Sequence, residues 1–210
     1  MNKSTRIATS IIGVYAGILG IIHGYFEIQQ GTVVVTGIMV NAIGIPCQPN
    51  TVWHACLPAM TFLPNFLSSG IAAVIISFIA LIWAAAFIQR KHGNLVLILL
   101  SVLMLIFGAG FVPSYTAIIA GIFAAQIHAR ISLQTTLVTK NILGLLSWFR
   151  LLTLAAFLIW SIGGWILGYF FNDVMINLST FLFLFCDIGL PLFAVITNLA
   201  YDIQHHNSIQ

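Results

Sequence analysis

The chain has 210 residues, of which 60% are hydrophobic and only 5% charged, with a mean hydropathy of +1.09. Soluble domains carry about 25% charged residues, so a water-exposed surface is excluded for most of this chain and its solvent is lipid. The formal net charge of +3 comes from seven Lys and Arg against four acids, too few cations for a nucleic-acid footprint.

Lys3 and Arg6 precede an apolar run over 7–28. No small-residue cleavage site closes that run; His23, Gly24, Tyr25, Phe26 and Glu27 follow instead. The pattern predicts a retained first membrane helix rather than a cleaved leader. Gly13, Gly17, Gly20 and Gly24 fall within about 60° of arc and form one groove for helix packing. Glu27 lies at the edge of that face, with His23 one turn before it.

Residues 29–65 form the long connection, expected to be ordered by its own packing. Thr32 to Val40 is rich in Val, Thr and Ile and favours extended backbone. The second half carries Pro46, Pro49, Pro58 and Pro64, together with Trp53, His54, Cys47 and Cys56. Cys47 and Cys56 are spaced for a small disulfide loop, and two free buried thiols remain the alternative.

A second span is predicted over 66–89, with Ala73, Ser77, Ala80 and Ala84 on one stripe. Two shorter ones follow over 94–111 and 114–129, each about 26 Å of helix. Gly108, Gly110 and Pro113 separate them, as two thin crossings or one re-entrant hairpin. Residues 131–149 are more polar and read as an interfacial helix with Trp148 and Arg150 at headgroup level. Spans over 150–171 and 176–200 complete the set. Ser161, Gly164 and Gly168 give the fifth a small-residue stripe, and Cys186 in the sixth is apolar filler.

The expected fold class is therefore all-α: a single-domain polytopic transmembrane bundle of six spans with one long ordered outer loop. Threaded this way, Lys3, Arg6, Arg90, Lys91, Arg130, Lys140 and Arg150 fall on one side, and 29–65, 112–113 and 172–175 hold no Lys or Arg. The positive-inside rule makes that side cytoplasmic and both ends cytoplasmic, in a cell (plasma) membrane.

The four acids are Glu27, Asp173, Asp187 and Asp202. Asp173 and Asp202 sit at span ends, where interfacial solvation is expected to suffice. A carboxylate at mid-bilayer costs about 2.5–3.5 kcal/mol on insertion scales and seeks a partner or a cavity. Asp187 is near the middle of the last span, and Pro191 withdraws the hydrogen bond to its carbonyl. A polar pocket in the outer half of the bundle is the resulting expectation, lined by His23, Glu27, His54 and Asp187. The simpler assignments are local: His23 and Glu27 paired or holding the loop, and Asp187 bonded to a neighbouring helix. Metal binding would need His54 as a third ligand and ranks below these. His128, His205 and His206 are interfacial or on a polar tail.

No hydrolase, zincin, Walker or dinucleotide fingerprint is present, no Cys-x-x-Cys occurs, and no cofactor is implied. The strings His23-Gly24-Tyr25-Phe26-Glu27, Pro58-Ala59-Met60-Thr61 with Pro64-Asn65, Gln89-Arg90-Lys91, and Gly108-Ala109-Gly110-Phe111 with Pro113 resemble a group of small prokaryotic multi-span membrane proteins. The likeness covers roughly residues 10–130 and implies no activity, only a prokaryotic cell membrane. Three functions compete. The first is binding or passage of a small molecule, ion or proton through the outer pocket. The second is an accessory role in a homo-oligomer or larger membrane complex. The third is an enzyme acting on a lipid or quinone.

Overall fold

The computed structural model describes residues 1–41, 58–129 and 137–207, with backbone alone at 137–140 and 207. Cys47, His54, Cys56 and Arg130 lie outside the described residues. Helix α1 spans Lys3–Gln29, about 40 Å, longer than the ~30 Å hydrocarbon layer. A short antiparallel ribbon pairs β1 (Met39–Asn41) with β2 (Pro58–Met60), register Val40 opposite Ala59. Helix α2 (Phe66–Ile82) runs on through a π-helical turn, Trp83–Phe87. Then come α3 (Gly93–Ile106) and α4 (Phe111–Ala124), the latter closing in a 3-10 turn to Ile127. Helices α5 (Leu137–Trp148), α6 (Arg150–Phe170) and α7 (Asn172–Asn177) follow. The final rod is α8 (Ser179–Leu182), a π-helical segment Phe183–Gly189, and α9 (Leu190–Asn207).

Four helical stretches are long and apolar enough to cross a membrane: Lys3–Gln29, Phe66–Phe87, Arg150–Phe170 and Ser179–His206. Gly93–Ile106 and Phe111–Ile127 are shorter and also apolar. The fold is a helical bundle of membrane type, and the ribbon is its one departure from an all-α architecture among the described residues. The third predicted span ends early, at Ile106, because Gly108 (φ +87°) and Gly110 (φ +90°) turn the chain in a conformation that L side chains avoid. Pro113 then sits in the first turn of α4, where proline is tolerated.

Helix α1 is central and packs along α2, α4 and α9. Its glycine face is what lets α2 approach. A Cβ on Gly13 would stand 2.7 Å from the Ala84 Cβ, one on Gly17 2.6 Å from the Leu81 Cβ, and one on Gly24 2.8 Å from the Gly70 carbonyl oxygen. Ala73, Ser77, Ala80 and Ala84 are all fully buried, so the two small-residue stripes face each other. The surface is apolar and large: Ile159 is 71% exposed, Ile162 68% and Phe170 70%. Side chains of this kind are stable outside only in lipid or under a partner.

At one end of the bundle the segment before α1 is woven into other helices. The Asn2 amide nitrogen donates to Gln126 O (2.6 Å) and Ala129 O (3.3 Å). Asp202 on α9 accepts from the Ser4 and Thr5 backbone N–H (3.2 and 2.7 Å) and from the Thr5 hydroxyl (2.8 Å). It is 7% exposed. Interfacial solvation, the account the sequence suggests, does not hold for this residue: Asp202 is a buried N-terminal cap supplied to α1 in trans along the chain. His128 Nε2 meets Gln89 O at 2.8 Å, and Arg150 lies 3.3 Å over the Tyr201 ring. These contacts gather Lys3, Arg6, Arg90, Lys91 and Arg150 toward the same end.

At the other end the ribbon folds onto the α3–α4 turn. Thr61 bridges Phe107, and Gly108 N–H donates to Met60 O at 2.9 Å. Asn65 caps α2 by accepting from Ser68 N–H at 2.8 Å.

Candidate functional site

Under this second end lie His23 and Glu27, on α1. Their i, i+4 spacing places both on the face turned to the α3–α4 connection. Glu27 is fully buried and His23 is 6% exposed. His23 Nε2 and Glu27 Oε1 are 4.0 Å apart, beyond a hydrogen bond. The turn closes over them without side chains: a Cβ on Gly110 would stand 2.8 Å from His23 Nδ1, and one on Gly108 would stand 2.6 Å from Glu27 Oε2 and collide with the Ser69 hydroxyl. Glycine is thus required twice at each position, by the positive φ and by the crowding.

The polar atoms of this site are poorly matched. Among the described residues, neither the Glu27 oxygens nor His23 Nε2 has a hydrogen-bond partner in good geometry. The Ser69 hydroxyl lies by the carboxylate but donates to Thr61 Oγ1 at 2.9 Å. Among the described residues no Lys or Arg comes within ion-pair distance of Glu27. A carboxylate buried without donors or a cation is among the costliest groups a protein can hold. Each such group in a native structure calls for an explanation, whether strain, chemistry at the group or a bound water or ion.

His23 also lines a cleft of about 50 Å³ between α1, α4, α6 and the π segment. That volume admits a few waters or a slender head group, well below a drug-sized pocket. Asp187, in the π segment, lines the same cleft and accepts from Trp160 Nε1 at 2.8 Å. The Trp160 ring lies against Gly164, whose Cβ would stand 3.4 Å from Cε2. Tyr15 lines the same cleft. Its ring packs edge-on against Phe157 at 5.3 Å.

Of the residues singled out by sequence, His23 and Glu27 are neighbours, and His23 and Asp187 share a cleft. Glu27 stands behind His23, off the cleft lining. His54, Cys47 and Cys56 lie outside the described residues. Among the described residues no three His, Cys, Asp or Glu side chains come together as metal ligands. The sequence did not single out Tyr15, Trp160, Trp165 or Ser69, and named Thr61 only within the string Pro58-Ala59-Met60-Thr61. Trp160 and Gly164 at i, i+4 carried the one legible signal, a large ring one turn from a residue with no side chain.

No protein-family model matches the sequence, and no curated protein or solved structure is significantly similar to it. The chemistry of the site therefore rests on its own geometry.

Proposed function

We propose that the chain is a six-pass membrane protein that binds a proton or small cation at His23–Glu27 and passes it through the bundle. In this reading the four long helices and the two shorter ones all cross. Residues 2–6, 89–91, 150 and 202–206 face the cytoplasm, in a prokaryotic plasma membrane, and the ribbon end faces outward. The gathering of Lys3, Arg6, Arg90, Lys91 and Arg150 toward one end supports that orientation.

The observation that carries the function is the Glu27 carboxylate, fully buried and, among the described residues, with no hydrogen-bond partner in good geometry for either oxygen. Such a group calls for positive charge, and the smallest source is a proton. His23, at 4.0 Å and lining the cleft, is placed to pass a proton between the cleft and Glu27. Buried acid–imidazole pairs of this kind mark proton relays in membrane proteins.

Infrared difference spectra of the protein in lipid vesicles are expected to show the carbonyl stretch of a protonated carboxylic acid that vanishes in Glu27→Gln. Proton uptake driven by an imposed membrane potential should fall at least about tenfold in the same variant. An unchanged band and unchanged flux in folded Glu27→Gln protein would remove the proposal.

A further inference from the structure

A proton at Glu27 leaves the cleft beside it unexplained. Asp187 is a second acid within the bundle with no Lys or Arg at ion-pair distance among the described residues. Among the described residues, the hydrogen bond it accepts from the Trp160 indole comes from a neutral donor, so no cation of the protein is matched to this carboxyl group. Aromatic residues share its cleft: Tyr15, Phe26, Trp160 and Trp165 line the same space, and among the described residues His23 is the one basic side chain in that lining. His23 offers a buried Nε2 with no hydrogen-bond partner among the described residues. Trp165, 37% exposed, marks where the cleft meets the apolar surface of the bundle.

Aromatic faces around an acid are the recognition chemistry of ammonium groups, since ring quadrupoles attract a cation that sheds its water. An anion would meet Asp187 at close range. A neutral amphiphile would leave the carboxylate without a counter-charge. The size of the cleft selects a slender head rather than a fused ring system, and its apolar mouth favours a molecule that reaches it from the lipid phase.

We propose that this cleft binds a lipophilic organic cation, an alkylamine or alkyltrimethylammonium, with the head between Asp187 and the Trp160, Trp165 and Tyr15 rings and the tail toward lipid. The inference rests on the proposed proton site, because His23 borders both spaces. A cation in the cleft and a proton moving through His23 then oppose each other electrostatically, so that one would be exchanged for the other.

Equilibrium dialysis of labelled octyltrimethylammonium against the protein in nanodiscs tests it. Saturable binding is expected, displaced by tetramethylammonium and by protons as the pH falls, and not by octyl sulfate. Asp187→Asn should weaken it about tenfold or more, Asp187→Glu should restore part of it, and Trp165→Ala should weaken it by about threefold. Equal binding of octyl sulfate to the native protein, which needs no variant, would overturn the proposal, as would full affinity in folded Asp187→Asn. The infrared band of Glu27 separates the two ideas. If the band is present and no cation binds, only the cleft assignment falls. If cation binds saturably while Glu27→Gln alters no band, only the proton site falls.

Discussion

At the scale of single residues, two glycines with positive φ offer a controlled comparison. Gly108 (φ +87°) is crowded by Ser69 and Glu27, whereas Gly31 (φ +67°) has nothing within 4 Å of a Cβ. Gly31→Ala carries only the backbone strain, about 1–2 kcal/mol. Gly108→Ala carries that strain and a clash with Ser69 and Glu27 as well. Thermal unfolding in detergent is expected to place Gly108→Ala several degrees below Gly31→Ala; equal midpoints would mean that the turn does not press on Glu27. Asp202 yields a second expectation. Asp202→Ala leaves the Ser4 and Thr5 N–H groups without their acceptor, at a cost of about 1–2 kcal/mol in global stability by the same assay. That His23 and Glu27 share one face was legible because four residues on a helix always means one face. The role of Asp202 was not, because its partners lie 197 and 198 positions away and local pattern carries no such information.

Among elements, the small-residue faces of α1 and α2 were legible, though not that the two would meet each other. Repeated small residues at helical spacing predicted close approach, and Gly17, with its missing Cβ 2.6 Å from the Leu81 Cβ, shows how close. Gly17→Val should therefore abolish a monodisperse folded protein in size-exclusion chromatography. Gly163→Ala on α6, where a Cβ meets nothing, should leave the profile unchanged or raise the melting temperature slightly. The π turns were not legible. Pro191 signalled a local defect in the last span, but the wider turn of Phe183–Gly189 depends on how α9 seats against its neighbours, which composition does not encode. That detail matters to the site, because the π segment sets the direction in which Asp187 leaves the helix.

For the whole molecule, hydropathy and composition were enough to predict a helical membrane-type bundle. They were not enough to predict the small ribbon, or that its end of the molecule would cover His23 and Glu27. The proposed orientation has a direct check. Lys91 is exposed in the turn between the π-helical end of the α2 rod and α3, so a cysteine there should react with an impermeant maleimide only after cells are opened. Reaction in intact cells would invert the bundle and place the acid-lined cleft near the wrong face.

The cap that α9 lends to α1 also bears on how the protein is made. Residues 4 and 5 leave the ribosome long before Asp202, so through most of synthesis the first helix waits in the bilayer with its leading amides open to any acceptor nearby, such as a lipid phosphate. The finished protein must exchange that temporary acceptor for its own carboxylate as the last helix arrives. Biogenesis would then be sensitive to headgroup composition at a step that the mature fold no longer displays.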